Sequence, residues 1–156
     1  MALPYRSRFL TYKQWQMDSL AIGRRFSPFI EKMASRIAQL QCAMLCTPDG
    51  FNLCSIGLNE EQVGKMAALS SSLFSVGAAA VNSLTSESAA NVASSAEGSV
   101  SAPLNYLTLE AGGLQIVSTK IIRPAGDFIL MAAARAPLGV VLVGVRSTVM
   151  DIQKLL

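Results

Sequence analysis

Residues 43–51 read Ala43-Met44-Leu45-Cys46-Thr47-Pro48-Asp49-Gly50-Phe51, and this stretch decides the fold. An apolar run stops at a four-residue turn and resumes. Cys42–Cys46 is apolar at every position, so a strand here has both faces covered. Thr47-Pro48-Asp49-Gly50 puts proline second and glycine fourth, as a type I turn prefers. Phe51–Ile56 is the return strand, so the unit is a β-hairpin. Further on, Leu104–Glu110, Leu114–Ile122 and Phe128–Ala134 read as three more strands, separated by turns at Gly112-Gly113 and Arg123–Asp127. Like the first strand, 128–134 is apolar on both faces, and these two are expected at the centre of the sheet. Strands 51–56, 104–110 and 114–122 carry more polar residues and are expected nearer its edges. Hairpin connections make the sheet mostly antiparallel.

Three helical patterns surround these strands. Phe26, Phe29, Ile30, Met33, Ile37 and Leu40 recur every three or four residues, and Ser27-Pro28 is expected to start this helix. Asn59 with Gln62 three residues later forms a capping-box variant, and Glu60 and Glu61 suit the positive start of a helix running to about Leu84. That helix has two apolar stripes. Met66, Leu69, Leu73, Val76 and Ala80 make one; Val63, Ala67, Ser70, Phe74, Gly77 and Val81 make the other. A helix apolar around most of its circumference is buried on more than one side. Its small residues let another backbone come close, so it is expected to self-associate. Met66, Leu69, Ser70, Leu73, Val76, Gly77 and Ala80 are the expected interface residues. A last helix starts near Pro137 and runs towards Leu156. Three helices covering two faces of a five-stranded sheet make a three-layer α/β/α sandwich, in the order helix-strand-strand-helix-strand-strand-strand-helix.

Length and composition fit one domain with a sizeable core. The chain has 156 residues, 51% of them apolar and 15% charged, and its mean hydropathy is +0.41. It has no histidine, which excludes a Ser-His-Asp triad, a Cys-His dyad, an imidazole base and a histidine-ligated metal. The composition points to binding and away from catalysis. Net charge is +3 but uneven: residues 1–40 hold seven basic side chains against two acidic ones. Residues 1–25 are expected to be a basic extension dotted with Tyr5, Phe9, Tyr12 and Trp15. Such a segment could meet nucleic acid or an anionic membrane surface. Residues 26–156 are expected to form the domain, with a flexible Ser-rich loop at 85–103.

The chemical motifs do not add up to a catalytic or cofactor site. Gly57 and Gly64-Lys65 have the wrong spacing for a phosphate loop, and Met66 stands where a hydroxyl would reach magnesium. No glycine triple has dinucleotide-binding spacing. Asp49 and Asp127 sit in turns, where carboxylates bond their own backbone. Cys42, Cys46 and Cys54 are too few for a zinc site in a chain without histidine, so they are expected to be buried, reduced thiols of a cytoplasmic protein. Arg135, next to Ala136-Pro137, is expected to bond helix-end carbonyls. No signal peptide is evident. The apolar run 128–145 has Arg135 and Pro137 in its middle, so a strand followed by a helix fits it better than a membrane span.

The ordered features resemble the roadblock / dynein light chain domain family, in its bacterial GTPase-regulator type. The hairpin at 43–51, the long helix with Met66-Ala67-Ala68-Leu69-Ser70, the strands Gly113-Leu114-Gln115-Ile116-Val117 and Phe128-Ile129-Leu130-Met131-Ala132, and Pro137-Leu138-Gly139-Val140-Val141 with Arg146 carry the resemblance. It covers about residues 27–152. The resemblance implies a roadblock/profilin-like fold and a homodimer in which the second helices pair and the sheets join edge to edge. It also implies a non-catalytic platform for small Ras-like GTPases, with no cofactor or metal. The extension at 1–25 and the long loop at 85–103 depart from the compact pattern.

Overall fold

A computed structural model describes residues 6–90 and 104–156, with side chains for 19–85 and 104–156. The elements are α1 (Arg6–Arg36), β1 (Leu40–Cys46), β2 (Asn52–Ile56), α2 (Glu60–Ala90), β3 (Tyr106–Ala111), β4 (Leu114–Ile121), β5 (Phe128–Ala134) and α3 (Leu138–Gln153). The five strands form one sheet in the order β2-β1-β5-β4-β3, with every neighbouring pair antiparallel. Helices α1 and α3 cover one face and α2 covers the other, so the sandwich has the three layers expected.

Local chemistry sets the turns and caps. Gly50 N–H donates to the Thr47 carbonyl at 3.0 Å, and the Thr47 hydroxyl accepts from Phe51 N–H at 3.1 Å. Gly112 and Gly113 both have positive φ, as a tight two-residue hairpin requires. The capping box forms in both directions: Gln62 N–H donates to Asn59 Oδ1 at 2.9 Å, and Asn59 N–H donates to Gln62 Oε1 at 3.1 Å.

Two halves of the core follow from strand alternation. Ala43 and Leu45 of β1 face α1 and α3, together with Phe26, Ile30, Met33, Ile37, Val117, Phe128, Val141, Val145 and Ile152. Cys42, Met44 and Cys46 face the opposite way, towards Ala67 and Phe74 of α2 and Ile129 and Met131 of β5. Among the described residues the first half contains fifteen buried residues and the second eight, so there the α2 side is the thinner part of the core. Burial pushes the Cys42 thiol up; burial and the Asp49 charge push Cys46 to about 12. Burial and the Glu31 charge push Cys54 to about 12 as well. Thiols held this far from ionisation are poor nucleophiles at neutral pH.

Four readings of the sequence need correction. Helix α1 does not start at Ser27-Pro28; it starts at Arg6 and runs through Pro28. Pro28 lies on the exposed side, so the carbonyl left without a partner faces water. Upstream, Ile22 packs on the core and Gly23 is buried against β2. The Ser27 hydroxyl donates to Glu31 Oε1 and caps nothing. Helix α2 outlasts Leu84 and reaches Ala90, which moves residues 85–90 out of the expected loop; residues 91–103 lie outside those described. Strand β4, expected nearer an edge than β1, lies between β5 and β3 and is as far from an edge as β1. Gln115, Ser118 and Thr119 on it are buried, and the Thr119 hydroxyl donates to the Asn105 carbonyl at 2.7 Å. Arg135 donates to the carbonyl of Gly112 at 2.9 Å, in the β3–β4 turn and not at a helix end.

Helices α1 and α3 are tied by an Arg36–Asp151 ion pair. The hydrogen bond from Arg36 holds the Asp151 carboxyl below the usual carboxylate range. A carboxyl lowered in the folded state contributes stability above the unfolded value of about 3.9, and loses it as pH falls through the folded value. Asp151→Asn should therefore lower the melting temperature at pH 7. The difference from the parent chain should shrink as the pH is taken below about 4. Calorimetry at both pH values checks this.

Candidate functional site

Helix α2 lies across the sheet and presents two stripes of different fate. Ala67, Ser70, Ser71 and Phe74 are buried, with Val63, Gly77 and Val81 partly covered beside them. The Ser71 hydroxyl donates to the Pro48 carbonyl, which pins the helix to the β1–β2 turn. A Cβ on Gly77 would meet the side chains of Leu104 and Leu107 at 3.1 and 3.3 Å, so the small residue admits this approach. The other stripe is exposed among the described residues. Leu69 is 53% exposed, Leu73 42% and Val76 67%; Leu84, one turn past Ala80, is 70% exposed.

The seven interface residues expected from sequence thus divide. Leu69, Leu73, Val76 and Ala80 are exposed on the outer stripe. Met66 is half-buried at its border and packs on the α2-side core. Ser70 and Gly77 turn towards the chain's own sheet. Both stripes repeat with helical period, so periodicity could not say which of them faces inward.

Beside the helix lies strand β3, an edge strand. Its outer row of backbone N–H and C=O groups has no neighbouring strand among the described residues. Tyr106 and Leu109 on it are exposed, and sequence reading did not place either in the site. The alternation of 104–110 was the available signal. Between α2 and the sheet runs an apolar groove of about 220 Å³, lined by Met66, Leu69, Ser70, Leu73, Leu107, Leu109, Ile116 and Ser118. A wider cleft of about 450 Å³ continues it towards the start of α2, where Leu58, Leu114, Gln62, Lys65 and Arg135 line the walls. Lys65 is paired with Glu61 at 2.8 Å, and both are exposed. Such a pair contributes only about 0.3–0.5 kcal/mol.

The arrangement is an apolar surface open among the described residues. An apolar helical stripe, an open strand edge and the groove between them suit association with another protein. Residues 60–85 are also long and apolar enough by composition to cross a membrane, yet one side of this segment packs on the sheet. Among the described residues, no group of three or more His, Cys, Asp or Glu side chains gathers to hold a metal.

No protein-family model matches the sequence, and no curated protein matches it. Solved structures do match in fold. A Roadblock/LC7 domain from Streptomyces avermitilis superposes with a TM-score of 0.63 at 18% identity, covering 82% of this chain and 94% of that one. MglB of Myxococcus xanthus gives 0.61 at 14% identity, covering 85% and 88%. An MglB in a tetrameric arrangement gives 0.61 at 16% identity, covering 86% and 89%. The chain has the roadblock fold.

Proposed function

We propose that this roadblock-fold chain is a non-catalytic, homodimeric binding module of the cytoplasm that regulates or scaffolds a small Ras-like GTPase. The observation that carries the reading is the exposed stripe Leu69, Leu73 and Val76 beside the open edge of β3. Fully burying a Leu or Val side chain gives roughly 1.5–3 kcal/mol. A two-fold interface counts each of these residues twice; allowing for the cover they already have, that is roughly 5–10 kcal/mol towards the roughly 4–15 kcal/mol that association costs, with the strand edge to add to it. In such a dimer the α2 helices pair and the two β3 strands join the sheets into one. The tetrameric arrangement of one structural neighbour supports self-association of this fold.

The GTPase partner rests on the sequence resemblance carried by residues 43–51, the start of α2 and the later strands. The chain lacks histidine, and its three thiols are held far from ionisation. Any effect on GTP hydrolysis would therefore come from positioning the partner's own groups. The test is a purified small GTPase of the source organism, loaded with GDP or a non-hydrolysable GTP analogue, mixed with the chain. Saturable binding that prefers one nucleotide state supports the proposal. Equal failure of both states across the small GTPases of that organism refutes it.

A further inference from the structure

The two outer layers of the sandwich differ in sign of charge. In the layer made by α1 and α3, residues 19–37 and 138–156 hold Arg24, Arg25, Lys32, Arg36, Arg146 and Lys154 against Glu31 and Asp151. On the other side of the sheet, residues 60–85 of α2 hold Lys65 against Glu60 and Glu61. The upstream sequence of α1 adds Arg6, Arg8 and Lys13 against Asp18.

Contacts within the layer take up the acids and leave cations outside. Arg36 and Lys154 both pair with Asp151, at 2.5 and 3.6 Å. Glu31 Oε1 accepts from the Ser27 hydroxyl, and Arg25 donates to the Leu155 carbonyl at 2.8 Å. Arg24, Lys32 and Arg146 are exposed and form no ion pair among the described residues.

Apolar side chains sit among these cations. On α3 the buried residues Val141, Val145, Thr148 and Ile152 mark the inward stripe. On the outward stripe Val143, Arg146, Met150 and Lys154 recur every three or four residues, and all four are exposed. Val143 is 67% exposed and Met150 52%. Nucleic-acid surfaces combine cations with polar donors, and single strands add stacked aromatic rings. Among the described residues these two helices carry no exposed aromatic ring. An anionic bilayer suits both kinds of side chain present. Apolar ends enter the boundary between headgroups and acyl chains, while the cations stay at the phosphates with their stems along that boundary.

We propose that the outer face of α1 and α3 docks on an anionic lipid bilayer, with Val143 and Met150 inserted and Arg24, Lys32 and Arg146 on the lipid phosphates. The docking does not depend on the proposed dimer, because neither helix belongs to the surface formed by α2 and β3.

The experiment is co-sedimentation of the full chain with vesicles of phosphatidylcholine alone or mixed with phosphatidylglycerol. The expected result is saturable binding to the mixed vesicles, weakened by added salt, and none to phosphatidylcholine alone. A cation at an anionic surface is worth about fivefold in affinity, so Arg24→Gln, Lys32→Gln and Arg146→Gln combined should weaken binding by about a hundredfold. Val143→Ser with Met150→Ser should weaken it by at least about fivefold. All five side chains are exposed, so both combined variants should keep the circular dichroism of the parent. A polarity-sensitive dye on Met150→Cys should shift to the blue when mixed vesicles are added. One on Ser75→Cys, exposed on α2, should not. Should a combined variant unfold, the two dye positions still decide. No binding to the mixed vesicles, equal binding to phosphatidylcholine alone, or unchanged affinity in the folded triple variant would overturn the proposal. So would tighter binding of a DNA or RNA strand at the same salt concentration, or a blue shift at Ser75→Cys in place of Met150→Cys. A Met150→Cys dye already in an apolar environment before vesicles are added would assign the face to a second copy of the chain and overturn it as well.

Discussion

Leu69→Asp combined with Leu73→Asp should turn the protein into a folded monomer. Both side chains are about half exposed on the outer stripe of α2, so neither carboxylate enters the core of its own chain. Secondary structure and cooperative unfolding should therefore persist. In the proposed dimer the same positions are buried, and each occurs twice. An uncompensated buried carboxylate costs several kcal/mol, on top of the apolar burial lost. The dimer dissociation constant should rise by at least about a thousandfold, which is a little over 4 kcal/mol. Val143→Asp serves as the control: Val143 is 67% exposed, but on α3, across the sheet. It should leave the assembly unchanged. A double variant that fails to fold would place Leu69 and Leu73 inside the chain. One that keeps its parent mass would place the interface elsewhere.

Much of this fold is legible in the sequence where a local interaction decides it. The Asn59–Gln62 box, the Thr47–Gly50 turn and the glycine pair at 112–113 involve partners within a few residues, and all three form. Strand β5 is legible because seven apolar residues in a row suit only a strand covered on both faces. Misreadings arise where distant packing wins. Pro28 marks a helix start by local rules, but Ile22, Gly23 and Phe26 dock on the sheet and carry the helix through it. Gln115, Ser118 and Thr119 suggest a strand nearer an edge than β1, yet all three are buried in β4, which lies as far in as β1. The candidate surface was half legible. Two apolar stripes were evident on α2, but their assignment to sheet or solvent depends on how the helix packs across the sheet. Arg123 read as an ordinary turn residue, because the stacking of its guanidinium on Phe128 exists only in the folded chain.

Gly23→Ala should lower stability, the reverse of its usual effect in a helix. Replacing a helical glycine by alanine ordinarily gains about 0.5–1 kcal/mol. At Gly23 a Cβ would lie 2.2 Å from the Leu53 carbonyl oxygen, and backbone cannot rotate away as a side chain can. Helix α1 would have to lift from β2, uncovering Ile22. Forcing atoms into a packed contact costs roughly 1–3 kcal/mol or more. At roughly 2–4 °C per kcal/mol for a chain of this size, the melting temperature should fall by about 2–12 °C. Gly64, in α2, is the internal comparison: nothing lies within 4 Å of a Cβ there, so Gly64→Ala should be neutral or slightly stabilising. A Gly23→Ala chain that melts above its parent would show that α1 does not sit on β2 as described.

The claim on which the functional reading depends is that the α2 stripe and the β3 edge are completed by a second copy of the chain. Sedimentation equilibrium of the purified protein tests this most directly. A species of twice the 16.5 kDa chain mass is expected at micromolar concentration, lost in the Leu69→Asp, Leu73→Asp variant. A parent chain that sediments at its single mass up to about 100 μM, a dimer weaker than roughly 5.5 kcal/mol, would contradict it.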